Sequence, residues 1–287
     1  MAFQLHRTAL YAESWNVAFR RTPQGGILTD RDTPFCVIPN AMRYWAADPM
    51  VFSHGGDTFI FAELYDYVLR RGGFGVSRFL NNGTFGPWQP ILQEPFHLSY
   101  PYVFRSGDEI FMVPESTQRK ALLVYRAVEF PLRWELHKVI REDVQWADTS
   151  VVPVKDGFAA MTQSYEQEAP CTLSVRLDRE LNITEWVRLQ GRVWTVARPG
   201  GRPFCHRDAV WHIFQDCRED YGKALYFCAE DGQEVYLKPD DLRFDRNMVL
   251  DGMHTYSATE GFEVIDFKTR RLNLLNLLFR LIGKSGL

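Results

Sequence analysis

ADPMVFSHGGDTFIFAE, residues 47–63, contains a complete short hairpin. An apolar strand runs into a turn built on Gly55, Gly56 and Asp57, a second apolar strand returns, and a carboxylate ends it. YPYVFRSGDEIFMVPE, residues 100–115, has the same shape, and so does ADTSVVPVKDGFAAMTQ from Ala147. GRPFCHRDAVWHIFQD from Gly201 and HTYSATEGFEVIDF from His254 extend the series to five. With Asp48, Tyr100, Asp148, Arg202 and His254 as equivalents, the spacings are 52, 48, 54 and 52 residues. A period near 50 points to a repeat architecture in which each unit is one supersecondary block.

Two further strand-like runs follow each of the first four hairpins: FGVSRFL and WQPILQE, ALLVYRAV and WELHKVI, TLSVRLD and EWVRLQ, ALYFCAE and EVYLK. They are short, rich in β-branched and aromatic residues, and bounded by Gly, Pro, Asn or Asp. Four strands per unit describe a propeller blade. The fifth hairpin ends near Phe267 without such runs, whereas SWNVAFRR and PFCVIPN near the N-terminus are unassigned. The expected fold is therefore all-β: a five-bladed β-propeller over residues 1–267, closed by N-terminal strands that complete the fifth blade and hide its edge. The alternative, two smaller β domains, leaves the even spacing unexplained.

In KTRRLNLLNLLFRLIGK, residues 268–284, Leu272, Leu274, Leu275, Leu277, Leu278, Leu281 and Ile282 make a wide apolar face beside a stripe of Asn273, Asn276, Arg280 and Lys284. This spacing predicts a short C-terminal amphipathic helix over 268–287. Such a helix packs on its own propeller, lies in a membrane interface with Lys268, Arg270 and Arg271 at the headgroups, or docks to a partner protein. It is too short to span a bilayer.

Of 287 residues, 46% are hydrophobic, enough for a large core, and the net charge of −3 argues against a general electrostatic grip on nucleic acid. MAFQLHRTAL lacks the apolar centre of a secretory signal. Cys36, Cys171, Cys205, Cys217 and Cys228 are scattered and without a CxxC pair, so no zinc or other metal site, and no cofactor, is expected. A cytoplasmic setting follows, peripheral to the membrane if the tail is interfacial.

In a blade, the start of the first strand and the end of the second share one face of the disc. Asp48 pairs with Glu63 on that logic, Tyr100 with Glu115, Asp148 with Gln163, Arg202 with Gln215 or Asp216, and His254 with Asp266. Each has an ordinary explanation: Asp in a turn, Glu at a solvated strand end, a hydrogen-bonded core His97 or His254, Arg198 and Arg202 paired between blades. Convergence on one rim favours a site. Glycosidic bond cleavage uses two carboxyl groups flanking the bond, and Asp48, Glu115 and Asp148 from successive blades are the catalytic candidates. Trp45, Glu63, His97, Tyr100, Arg198, Arg202, Asp216 and His254 are the candidates for holding a sugar.

At YWAADPMVF, EPFHLSYPYVF, MVPES, RPGGRPF, QDCREDYGKAL and MHTYS the chain resembles the five-bladed propeller region at the N-terminus of plant glucosamine inositolphosphorylceramide transferases and related bacterial proteins. The resemblance runs from about Trp45 to Phe267. More remotely the architecture is similar to five-bladed glycosidases acting on arabinosides, xylosides and fructosides. The latter likeness implies a base or nucleophile role for Asp48 in ADP. The second blade departs from it with Tyr100 before Pro101, and the third with Asp148 where a Glu acid is often found, which leaves Glu115 as acid. The expected function is action on a glycan or glycoside, by hydrolysis or glycosyl transfer, at an axial carboxylate site. The alternative is a non-catalytic sugar-binding or assembly module in polysaccharide or glycolipid synthesis.

Overall fold

A computed structural model describes residues 11–167, 169–190 and 198–272 of the chain. Its sheets are five blades. Blade one is β3 (Tyr44–His54), β4 (Asp57–Asp66), β5 (Arg71–Arg78) and β6 (Gln89–Leu92). Blade two is β7 (Ser99–Ser106), β8 (Glu109–Glu115), β9 (Ala121–Glu129) and β10 (Arg133–Glu142). Blade three is β11 (Trp146–Val154), β12 (Gly157–Ser164), β13 (Cys171–Leu177) and β14 (Ile183–Arg188). In blade four the inner strand is broken into β15 (Arg198–Pro199) and β16 (Phe204–His206), followed by β17 (Ala209–Asp216), β18 (Ala224–Ala229) and β19 (Glu234–Leu237).

The fifth blade joins both ends of the chain. Its order is β2 (Cys36–Ile38), β1 (Tyr11–Arg21), β21 (Phe262–Leu272) and β20 (Tyr256–Ala258). The β1–β21 ladder is unbroken from Tyr11 opposite Leu272 to Arg21 opposite Phe262. Closure by N-terminal strands is thus as expected. The tail differs: residues 268–272, expected to open a helix, continue strand β21. Lys268, which the interfacial alternative puts at lipid headgroups, is fully buried, with its Nζ donating to Asp220 (2.8 Å) and to the Tyr221 carbonyl (2.9 Å). An edge-to-edge partner in β1 overrides the local helical spacing there. The remainder of the expected helix, 273–287, lies outside the described residues. Among the described residues no helix is long and apolar enough to cross a membrane.

Apolar faces of neighbouring blades interlock. Phe59, Phe61 and Phe74 of blade one meet Tyr125 and Trp134 of blade two, and Phe104 and Phe111 of blade two meet Phe158 and Leu173 of blade three. Trp211 and Phe227 of blade four meet Tyr256 and Phe267 of blade five, whose Phe19 and Phe262 meet Ile60 and Leu64 of blade one. Each large side chain buried this way contributes about 1.5–3 kcal/mol.

A repeated kink sits where the first three blades approach the axis. The β3–β4, β7–β8 and β11–β12 registers slip after Ala47, Ser99 and Ala147. The next residues, Asp48, Tyr100 and Asp148, have φ of 52°, 53° and 53°. A bulge re-aims the side chain it carries, and this left-handed backbone is costly for Tyr in particular. Hydrogen bonds between blades hold it. Asp266 Oδ2 accepts the Asp48 N–H (3.0 Å), Asp48 Oδ2 accepts the Tyr100 N–H (3.1 Å), and the Tyr100 hydroxyl meets Ser150 (2.8 Å) and accepts the Gly201 N–H (2.8 Å). Gly201 pairs in parallel with Tyr256, and a Cβ there would lie 1.7 Å from the Tyr256 carbonyl oxygen. All five blades are linked by this circuit.

Candidate functional site

The bulges leave a pocket of about 480 Å³ at one end of the axis. Glu63 of β4 and Glu115, the last residue of β8, line it, with His97 and Ser99 from the approach to blade two and Arg198 from β15. Two groups of aromatic side chains wall it. Trp45 and Tyr65 are cross-strand neighbours on β3 and β4, with rings 4.8 Å apart and 6° from parallel. Trp15 of β1 stacks on His254 at 3.9 Å, and Tyr221 meets that imidazole edge-on at 5.2 Å.

Asp48 and Asp148 do not line this pocket directly. Asp48 Oδ1 accepts from the Thr255 hydroxyl (2.8 Å) and Oδ2 from the Tyr100 N–H. Burial pushes its carboxyl up in pKa, against the pull of His254, whose Nε2 is 3.8 Å away. Asp148 is held by the Arg198 guanidinium at both oxygens and by Gln215 Nε2 (2.6 Å). Burial still pushes Asp148 up to about 6, with Arg198 restraining the rise. A carboxylate so occupied orients its partners more readily than it reaches a ligand.

The two glutamates differ. Glu115 accepts from the Ser99 hydroxyl (3.0 Å) and from the Thr117 N–H (2.7 Å). Glu63 is buried, and its Oε1 has no hydrogen-bond partner. Burial, then the charges of Asp48, Glu115 and Asp148, push Glu63 well above the usual carboxylate range. His97 Nε2 lies 3.5 Å from Oε1, and burial lowers the pKa of that imidazole.

His254 is anchored by Asp266. The carboxylate takes the His254 and Thr255 N–H groups (2.9 Å each) and lies 2.5 Å from the His254 Nδ1. Burial opposes charging of this imidazole, yet the Asp266 and Asp48 carboxylates raise its pKa. Asp48, His254 and Asp266 bring ligand-type atoms within 4.8 Å of one another. Those atoms are already engaged in the hydrogen bonds above, so the trio acts as an internal brace.

Of the residues singled out from sequence, Trp45, Glu63, His97, Glu115, Arg198 and His254 line one pocket. Tyr100 is fully buried in the axial circuit beneath it. Arg202 lies away from it, donating to the Val103 carbonyl with its guanidinium 4.9 Å from the Tyr102 ring centroid. Asp216 faces a separate groove with Lys223 and Lys238, paired to Arg218 (2.9 Å) and Tyr236 (2.7 Å). Sequence reasoning missed Trp15, Tyr65, Tyr165 and Tyr221. Tyr65 was findable, since it follows Glu63 by two residues and shares its face of the strand. The others reach the pocket from β1 and from loops, for which the repeat offered no register.

A five-bladed propeller with an aromatic, carboxyl-lined axial pocket has solved counterparts in shape. The α-L-arabinofuranosidase of Podospora anserina, solved with cellotriose, superposes with a TM-score of 0.56 at 12% identity, covering 88% of this chain and 97% of that one. The catalytic domain of a Coprinopsis cinerea α-L-arabinofuranosidase gives 0.57 at 11% identity over 88% and 98%. At this identity the likeness is one of fold. The chain belongs to the family described as glucosamine inositolphosphorylceramide transferase 1, N-terminal, whose model matches residues 36–231. Glucosamine inositolphosphorylceramide transferase 1 of Oryza sativa subsp. indica is 33% identical over 204 residues, which are 66% of this chain and 27% of that protein. The Arabidopsis thaliana protein of that name is 31% identical over 198 residues, 62% and 24%. The chain thus spans about a quarter of the length of these curated relatives.

Proposed function

We propose that this chain is a carbohydrate-active propeller that takes a glycan into the axial pocket and acts at a glycosidic bond there. The observation that carries this is the meeting of two aromatic walls with two glutamates in unlike environments. Flat aromatic faces accept the apolar C–H face of a sugar ring, while polar groups between them fix its hydroxyls. Carboxyl groups in unlike surroundings can divide the roles of acid and base. Glu115, hydrogen-bonded at both oxygens, suits the base or nucleophile; Asp48 and Asp148 brace His254 and Arg198 around it. The glycosyl-transferring name of the relatives and the glycosidase fold are consistent with this chemistry.

A second reading, a non-catalytic sugar-binding module, is favoured by one observation. Of the three carboxylates first expected to be catalytic, only Glu115 faces the pocket. Product formation from a panel of oligosaccharides and aryl glycosides, by the wild type and by Glu115→Gln, separates the two. Turnover lost in the variant with binding retained supports the enzyme. Binding without product in either protein supports the module.

A further inference from the structure

We propose that Glu63 is the proton donor of this pocket and that His97 is the relay connecting it to solvent. The inference rests on the glycan reading above and assigns its acid. Glu63 lines the pocket and is the one carboxyl there that is buried with an unpartnered oxygen, Oε1, which lies against His97 and the Gly72 backbone. A buried carboxyl with a free oxygen is costly as an anion and far less so as a neutral acid, whose O–H is then available to donate.

The surroundings agree from every side. Asp48 from β3, Glu115 from β8 and Asp148 from β11 all disfavour a further negative charge, and only Arg198 from β15 opposes them. Arg198 is already committed to Asp148. The His254 imidazole is held by Asp266. Tyr221, part-exposed in the same wall, has its phenol pushed well above the usual range by desolvation, then by Asp48, Asp148 and Glu63.

His97 is placed to pass a proton. Its Nδ1 accepts the Gly72 N–H (2.9 Å), so in the neutral ring the proton sits on Nε2, the atom 3.5 Å from Glu63 Oε1. The His97 N–H donates to Gln118 (2.5 Å), fixing the segment, and about a third of the side chain is exposed, in contrast to Glu63. The Gly72 backbone lies so close under Glu63 that a Cβ there would come within 2.4 Å of Oε1. The carboxyl therefore sits directly on the chain that orients its relay.

The Glu63 proton passes to the glycosidic oxygen, and the bond from that oxygen to the anomeric carbon breaks with its electron pair remaining on oxygen. Water, or a sugar hydroxyl, adds to the anomeric carbon and gives its proton to Glu115. A solvent proton returns to Glu63 through His97, and Glu115 releases its own.

Two measurements on the full chain test this. In infrared difference spectra at neutral pH, the wild type shows a protonated-carboxyl band that is lost in Glu63→Gln and kept in Glu115→Gln. In His97→Gln, which retains an acceptor for the Gly72 N–H, the band persists but exchanges more slowly in D₂O. On any glycoside of the panel that is turned over, Glu63→Gln lowers kcat by about 100-fold or more, the range of a positioned acid, removes the alkaline fall of the pH profile and leaves binding intact. Glycan binding by a wild type whose band ignores Glu63→Gln overturns the assignment while the glycan reading stands. A Glu63-dependent band in a protein that binds no glycan overturns the glycan reading, and with it Glu63 as donor to a sugar.

Discussion

Trp15, near the start of the chain, lies flat on the imidazole of His254, near its end, with ring centres 3.9 Å apart and planes 11° from parallel. The contact ties ring closure to the pocket, because the strand that completes blade five also supplies a wall of the site. Trp15→Ala removes the stack and leaves a cavity beside a buried histidine. Loss of about 3–5 kcal/mol is expected, measured by chemical denaturation, together with weaker binding of any sugar that uses the pocket. A variant as stable as the wild type contradicts a closing role for β1.

Lys268 gives a second test of closure. Its ammonium is fully buried and depends on Asp220 and the Tyr221 carbonyl. Lys268→Ala removes the ammonium's bonds to Asp220 and to the Tyr221 carbonyl and empties the space beside Trp15, so it should lower stability by roughly 2–5 kcal/mol. Lys268→Met fills the volume without a charge and should cost less. Thermal unfolding of the two variants decides, and equal melting to the wild type for both contradicts the buried placement.

The repeat was legible because each hairpin carries its own alternation and turn, and ring closure followed from counting strands. Asp48, Tyr100 and Asp148 were correctly seen as equivalent. Their shared bulge was not visible, nor was the use of their polar atoms between blades, since those partners lie some 50 residues or more away in sequence. The KTRRL segment, 268–272, misled because five residues of mixed polarity fit either period, and the partner that makes them a strand is at the opposite chain end. Arg202 and Asp216 were grouped with the rim by position alone. Local pairing with Val103 and with Arg218 and Tyr236 turns them elsewhere.

Stability should depend on pH through Glu63. Its folded-state pKa is raised, so the folded protein holds a proton that the unfolded chain releases near pH 4.5. That contribution is fully present below the unfolded pKa and is lost as pH rises through the folded one. Glu63→Gln, which keeps the shape without a charge, should therefore match the wild type at about pH 4 and melt higher than it at alkaline pH. A gap that shrinks as pH rises contradicts the burial of an uncompensated acid.

Asp266 should matter beyond its bulk. It accepts the backbone N–H groups of Asp48, His254 and Thr255 and holds the His254 ring. Asp266→Asn keeps the size but removes the charge. A loss of about 3 kcal/mol is expected, with the His254 imidazole titrating at lower pH in NMR spectra. An unchanged titration contradicts the brace.

The central claim is that the axial pocket is where this chain meets a glycan. A crystal structure of the protein soaked with a panel of oligosaccharides tests it most directly. The account predicts a sugar ring against Trp45 and Tyr65, with hydroxyl or glycosidic oxygens within hydrogen-bond reach of Glu63 and Glu115. Sugars bound only in the groove of Asp216, Lys223 and Lys238, or an axial pocket that stays empty at saturating concentration of every glycan in the panel, would contradict it.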